Sequence, residues 1–170
     1  MKRIMYLLIV VSIIAVACGS GSEKNDKNTD NPPVNQEDPA GKVHYLNTQN
    51  FVDQIFDFRT ETEWKYKGNK PAIIDFYADW CGPCKRVAPI MEELAKEYKG
   101  EIDIYKVDTD REQELASAFG IQSIPSIMFI PLDKQPHMYV GAFPKSEYIR
   151  IINEVFYSDN NLTEETQNEE

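Results

Sequence analysis

Two closely spaced cysteines restrict the fold of this chain more than any other feature of its sequence. Residues 81–84 read Cys-Gly-Pro-Cys and follow an apolar run at 71–78, whose β-branched and aromatic residues are typical of a buried strand. Apolar side chains then recur at helical spacing as far as Tyr98. The sequence therefore predicts a cysteine pair on a strand-to-helix turn.

A cysteine pair at the start of a helix suits redox chemistry. The helix N-terminus stabilises a thiolate through its free N–H groups and macrodipole, so Cys81 is the natural nucleophile and can close a small disulfide with Cys84. We expect Gly82 to relieve backbone crowding in the turn, and Pro83 to preset a helical φ without losing a needed hydrogen bond.

A zinc site is the alternative use of this motif, and it requires two further Cys or His ligands. The remaining candidates are Cys18, His44 and His137, none of which belongs to a second paired motif. The sequence therefore favours a redox dithiol, with no metal and no organic cofactor.

The segment 75–85, Asp-Phe-Tyr-Ala-Asp-Trp-Cys-Gly-Pro-Cys-Lys, resembles the active-site segment of thioredoxins. The resemblance continues, in the same order, through Pro89, Lys-Val-Asp at 106–108, Gly-Ile-Gln-Ser-Ile-Pro at 120–125 and Val-Gly-Ala at 140–142. It covers residues 43–157 and implies an α/β thioredoxin fold, in which helices flank a central mixed β-sheet.

Hydrophobic spacing along the same residues predicts the order β-α-β-α-β-α-β-β-α. Thr48 is expected to cap the first helix, and residues 108–110 are expected to cap the third. Residues 59–70 form a charged loop, longer than the corresponding thioredoxin turn, and its Trp64 and Tyr66 are expected to pack against the domain rather than contact substrate. The strands are expected at 43–46, 71–78, 102–107, 126–130 and 137–142, and the last helix from Pro144.

Asp75 interrupts the apolar strand before the cysteines. A carboxylate there must be paired, hydrated or protonated, because an unpaired buried charge is costly. In the resemblance Asp75 matches the buried acid behind the active site, and Lys106 matches its partner on the neighbouring strand. We expect Asp75 to transfer the proton of Cys84 and Lys106 to tune the charge of Asp75; a structural aspartate facing a loop is the alternative.

Pro125 directly precedes a predicted strand, where proline leaves a backbone edge free. The resemblance implies that this proline is cis and faces the dithiol, so that Ile124 offers its backbone to an extended substrate. A purely structural role stays open for Gly141 and Ala142. The expected substrate-binding surface comprises Trp80, Gly82, Pro83, Ile124, Pro125, Gly141 and Ala142.

Residues 1–17 have the pattern of a bacterial export signal. Lys2 and Arg3 precede an apolar run that is shorter than the ~20 residues needed to span a bilayer. The Ala-Val-Ala-Cys sequence ending at Cys18 resembles a lipobox, which implies cleavage and lipidation of Cys18. Several acyl chains on one residue would hold the protein at a membrane. An uncleaved anchor and an ordinary signal cleaved after Ala17 are the alternatives.

The polar residues 18–42 are expected to be the lipidated cysteine and a disordered tether, and the acidic residues 158–170 a disordered tail. The 170-residue chain, with 42% hydrophobic residues, can build one ordinary core in the domain at 43–157. Its net charge of -10 argues against nucleic acid as a partner.

These observations predict a periplasm-facing, lipid-anchored and monomeric reductase of disulfides in exported proteins. Cys81 attacks the substrate disulfide, and Cys84, a turn inside the helix and less exposed, resolves the mixed disulfide. Electrons must come from another protein, because the chain has no second redox cysteine pair and an exported domain lacks direct access to cytoplasmic reductant. We expect this partner to be a membrane thiol donor. The alternatives are a disulfide oxidase or isomerase, a cytochrome-maturation reductase, and a binding module with idle cysteines.

Overall fold

The computed structural model describes residues 41–158. The predicted export signal, Cys18 and most of the tether and tail lie outside these residues. The order of elements agrees with the hydrophobic pattern. The strands are β1 (Val43–Tyr45), β2 (Ala72–Tyr77), β3 (Asp103–Asp108), β4 (Ser126–Ile130) and β5 (His137–Val140), and the helices are α1 (Thr48–Gln54), α2 (Gly82–Glu97), α3 (Gln113–Ala118) and α4 (Lys145–Ile152), which a π-helical turn (Asn153–Tyr157) continues.

The five strands form one mixed sheet in the order β1-β3-β2-β4-β5. The pairs β1–β3 and β3–β2 are parallel, whereas β4 is antiparallel to both β2 and β5. Residues 72–76 of the central strand β2 are buried, as expected for a strand covered on both faces. The expected thioredoxin-like mixed sheet is therefore confirmed.

Helices cover both faces of the sheet. Successive residues of β2 point to opposite faces and therefore pack against different helices. Ile73 belongs to an apolar cluster with residues of α2 and α4, such as Met91 and Tyr148. Ile74 and Phe76 belong to a second cluster, with residues of α1 and α3. Burial of each large apolar side chain contributes about 1.5–3 kcal/mol to the stability of the fold.

Among the described residues, no helix has both the length and the apolar character needed to cross a membrane.

The 59–70 loop packs against the second apolar cluster, as expected. The ring of Trp64 lies 4.7 Å from that of Phe56, between centroids. The Tyr66 hydroxyl donates to the Lys70 carbonyl at 2.7 Å, and the Lys67 ammonium donates to the Val52 carbonyl near the end of α1 at 2.6 Å. The predicted packing role of Trp64 and Tyr66 is confirmed.

The two predicted helix caps are wrong. Asn47, not Thr48, caps α1 and accepts a hydrogen bond from the Asn50 N–H at 2.7 Å. The Thr48 N–H and hydroxyl instead donate to the Glu112 carboxylate, at 2.7 and 2.6 Å. Glu112 occupies the N-cap position of α3 without a capping bond of its own. The Asp108 carboxylate accepts the Asp110 N–H, in the turn before α3.

Candidate active site

The disulfide lies between the end of β2 and the first turn of α2. Cys81 is the N-cap of α2, and its Sγ accepts a hydrogen bond from the Cys84 N–H at 3.1 Å. The two cysteines form a disulfide, with their Cα atoms 5.3 Å apart. In the reduced protein the same N–H and the helix dipole would stabilise a thiolate at Cys81. Pro83 lies in the first turn, where its missing N–H costs no helical bond.

The expected difference in exposure between the cysteines is wrong, because Cys81 and Cys84 are each only 3% exposed. Both belong to a small buried cluster with Ala78, against which Tyr77 and Ile124 pack. The neighbouring segment at Ile124 covers Cys81, which the helix position alone could not show. The two sulfurs therefore differ in their place in the helix and in their neighbours, not in overall burial.

The expected reason for glycine at position 82 is also wrong. A Cβ atom built at Gly82 has no neighbour within 4 Å, so no crowding requires glycine there. Gly82 and Pro83 are both exposed at the start of α2. Because Gly82 has no side chain, nothing projects from this position beside the disulfide. A large substrate can therefore approach the disulfide closely.

Trp80 is exposed but held in place. The residue is 70% accessible, and its indole N–H donates to the Asp110 carboxylate at 2.8 Å. Asp110 follows β3, and the carboxyl ends of the parallel strands β2 and β3 meet at one edge of the sheet. Sequence reasoning did not identify Asp110 as a site residue. Its place just after a parallel strand was the signal that could have found it.

The Ile124–Pro125 peptide bond is cis, as the resemblance implied. The Ile124 carbonyl oxygen lies 3.8 Å from the Cys81 Sγ, and the Pro125 carbonyl accepts the Gly141 N–H at 2.9 Å. Gly141 has a φ of +122°, a conformation that favours glycine, whereas Ala142 packs against the apolar core. Both therefore have a structural explanation, and neither is shown to contact substrate.

Asp75 lies behind the disulfide and is only 4% exposed. Its Oδ1 is buried and has no hydrogen-bond partner among residues 41–158. Burial raises the pKa of Asp75 to about 7, and the charge of Lys106 opposes part of that shift. Asp75 is therefore able to bind and release a proton near neutral pH.

A cavity of about 60 Å³ connects Asp75 with Cys84. Val43, Tyr77, Ala88, Met91, Glu92 and Lys106 complete its lining. The cavity is large enough for water, which needs roughly 10–15 Å³ on the same measure. Water in this cavity would provide a route for a proton between the carboxylate and the inner cysteine.

No group of three or more His, Cys, Asp or Glu residues able to hold a metal ion occurs among the described residues. His44 and His137 lie on β1 and β5, the two edge strands of the sheet. The edge positions leave the histidines on opposite sides of the domain.

Residues 42–154 match the family model described as thioredoxin. This chain belongs to the thioredoxin family. Thioredoxins are protein-disulfide oxidoreductases, so the chain is an enzyme of this class with Cys81 and Cys84 as its redox pair.

The thioredoxin assignment agrees with individual relatives. The chain is 50% identical over 111 residues to Thioredoxin of Borreliella burgdorferi, an alignment that spans 65% of this chain and 95% of that protein. It is 46% identical over 76 residues to Thioredoxin 1 of a Nostoc species, covering 45% of this chain and 71% of that protein. The crystal structure of chloroplastic thioredoxin z superposes with a TM-score of 0.57 at 28% identity, covering 67% of this chain and 94% of that one.

Proposed function

We propose that this thioredoxin reduces disulfides of exported proteins on the periplasmic side of a membrane, to which lipid on Cys18 anchors it. The Ala-Val-Ala-Cys sequence that follows a short apolar run carries the location. The Cys-Gly-Pro-Cys sequence supports the direction, because Gly82-Pro83 resembles the reducing members of the family.

The catalytic cycle uses two thiol–disulfide exchanges. The Cys81 thiolate attacks one sulfur of the substrate disulfide and forms a mixed disulfide, while the other substrate sulfur leaves as a thiolate. Cys84 then loses its proton and attacks the Cys81 Sγ, which releases the second substrate sulfur. The substrate gains two electrons, and Cys81 and Cys84 become oxidised to the disulfide.

Asp75 acts in the second exchange. A Cys84 thiol is a poor nucleophile, since the thiolate is the reactive form. Asp75 accepts its proton through water in the shared cavity, and a pKa near 7 suits this transfer at neutral pH. The protonated Asp75 returns the proton when a thiol donor reduces the disulfide again.

The electrons come from a membrane thiol donor and pass to the Cys81–Cys84 disulfide. A second redox cysteine pair is absent from the sequence, since Cys18 is the only other cysteine. The reductase therefore depends on a partner protein, and its substrates are exported proteins that carry disulfides.

The redox equilibrium of the full chain with glutathione tests the direction. We expect a reduction potential near the value typical of thioredoxins, about −270 mV, together with reduction of insulin under coupled reductant. A potential near about −120 mV would indicate a disulfide oxidase. Failure to reduce insulin would favour a binding module.

Replacement of the predicted lipidated residue tests the location. Cys18→Ser should release active protein into the soluble periplasmic fraction, whereas Ser20→Ala, a matched change two residues away, should leave it in the membrane fraction. Mass spectrometry of the N-terminal peptide checks cleavage and lipid in each variant. Membrane retention of a cleaved Cys18→Ser protein at the wild-type level would contradict the lipid anchor.

A further inference from the structure

Three residues form one row across the parallel part of the sheet. Tyr45 on β1 is in register with Lys106 on β3, and Lys106 is in register with Asp75 on β2. Paired residues of neighbouring strands point to the same face of a sheet. The row therefore runs from an aromatic side chain that is 71% exposed, through a half-buried cation, to a carboxylate that is 4% exposed.

The cation of this row contacts the aromatic ring and not the carboxylate. The Lys106 ammonium lies 4.0 Å from the centroid of the Tyr45 ring, where the negative face of the ring attracts it. Within residues 41–158, the ion pairs with N···O distances up to 4.0 Å do not include Lys106 with Asp75, and Asp75 Oδ1 has no hydrogen-bond partner there. Lys106 thus acts on Asp75 only across a gap.

A second tyrosine lies near the first. Tyr77 lines the cavity that contains Asp75 and Lys106, and burial, followed by the nearby Tyr45, raises the pKa of Tyr77. Tyr77 lies two residues after Asp75 on β2 and so on the same face of the sheet. The exposed ring of Tyr45 therefore lies near a tyrosine of the cavity wall.

We propose that Tyr45 is a positioning residue that holds the Lys106 ammonium out of contact with Asp75 and so keeps Asp75 able to exchange a proton with Cys84 at neutral pH. This inference rests on the proposed role of Asp75 in proton transfer. Among the described residues, Asp75 is the one buried carboxylate, and it is in register with Lys106 on the neighbouring strand. A contact ion pair lowers a carboxyl pKa by about 1–3 units, which would leave Asp75 mostly ionised at pH 7.

The other titratable groups that face Asp75 cannot take over the effect of Lys106 on the pKa of Asp75. Glu92 and Cys84 face it from α2, Tyr77 lies beside it on β2, and Tyr148 faces it from α4. All four are neutral or negative, so none can lower the pKa of Asp75 by attraction. Among the described residues, Lys106 supplies the charge that opposes the effect of burial.

The carbon-13 titration of the Asp75 carboxyl group in the full chain tests the proposal. Tyr45→Leu keeps an apolar side chain but removes the aromatic face, and it should lower the pKa of Asp75 by about 1 unit or more. Tyr45→Phe keeps the face and should titrate close to the wild type. Because Tyr45 is exposed, both variants should fold.

Tyr45→Leu in a Lys106→Met background tests whether Tyr45 acts on Asp75 through Lys106. There Tyr45→Leu should no longer shift the titration of Asp75, and in the Lys106 protein it should move the acidic limb of the pH–rate profile in the same direction as the titration. An unchanged or raised pKa in Tyr45→Leu, or an equal shift without Lys106, would overturn the proposal. A wild-type pH–rate profile in Asp75→Asn would instead refute the proton-transfer role, while the titration still reports on Tyr45.

Discussion

The Cys81 Sγ lies 3.8 Å from the carbonyl oxygen of Ile124. This contact joins the N-cap of α2 to the residue before the cis proline, across 43 positions of the chain. In the proposed function, a substrate segment bound along Ile124 and Pro125 would face Cys81. Cys84 lies in the first turn of the helix and lines the internal cavity with Asp75.

The two cysteines should differ in trapping substrates. Cys84→Ser should accumulate mixed disulfides with exported proteins, because Cys81 forms the bond and nothing resolves it. Cys81→Ser should trap few, since Cys84 faces the interior of the domain. Non-reducing electrophoresis followed by mass spectrometry measures both and names the trapped substrates. Equal trapping by the two variants would reverse or remove the assignment of nucleophile and resolving thiol.

Protein stability should fall as pH rises through the titration of Asp75. Burial raises its pKa from 3.8 to about 7, so between these values the folded state binds the proton more tightly than the unfolded state does. The free energy of unfolding then decreases across this window by about 4 kcal/mol, at 1.36 kcal/mol for each unit of pKa difference. Above the window it levels off. Denaturant titrations from pH 4 to 9 measure this slope.

Asp75→Asn supplies the matched comparison. It should flatten the slope, raise stability at pH 8 and slow turnover at neutral pH, because it avoids burying a charge and removes the proton acceptor. Lower stability than the wild type at pH 8 would indicate a structural ion pair, and unchanged turnover from pH 6 to 9 would remove the catalytic role.

The hydrogen bond from Trp80 to Asp110 should matter for large substrates. Asp110→Ala frees the exposed ring, and with a bond worth about 1 kcal/mol we expect roughly a fivefold rise in KM for a protein disulfide. Reduction of a small disulfide should be unaffected, since it does not need the ring. Asp79→Ala removes the same charge from the adjacent turn and serves as the control. Equal effects of the two variants on KM would indicate net charge as the cause.

The 59–70 loop should tolerate no side chain at Gly68. A Cβ atom there would lie 2.2 Å from the Tyr66 hydroxyl oxygen, and the bond from this hydroxyl to the Lys70 carbonyl restrains the ring. Gly68→Ala should therefore destabilise the domain by about 1–3 kcal/mol. Gly82→Ala, which meets no atom within 4 Å, is the control for stability. Equal unfolding midpoints in denaturant would show that the loop yields without cost.

Local signals in the sequence determined most of the fold. The apolar run of β2, the Cys-Gly-Pro-Cys turn and the apolar stripe of α2 each depend on residues within one or two turns of each other, and the structure has these elements where the pattern predicts them. Asp75 could also be identified from sequence, because one carboxylate in a buried strand departs from its neighbours. The signal and lipidation of Cys18 remain predictions outside the described residues.

Contacts between distant segments decided the rest. Thr48 binds Glu112 instead of capping its own helix, Ile124 covers Cys81, and Lys106 turns to Tyr45 and not to Asp75. Each choice depends on strand order and register, which bring together residues that lie far apart in the chain. Sequence can supply an acid, a cation and an aromatic ring, but only the sheet decides which two of them touch, because side-chain attractions act over a few ångströms.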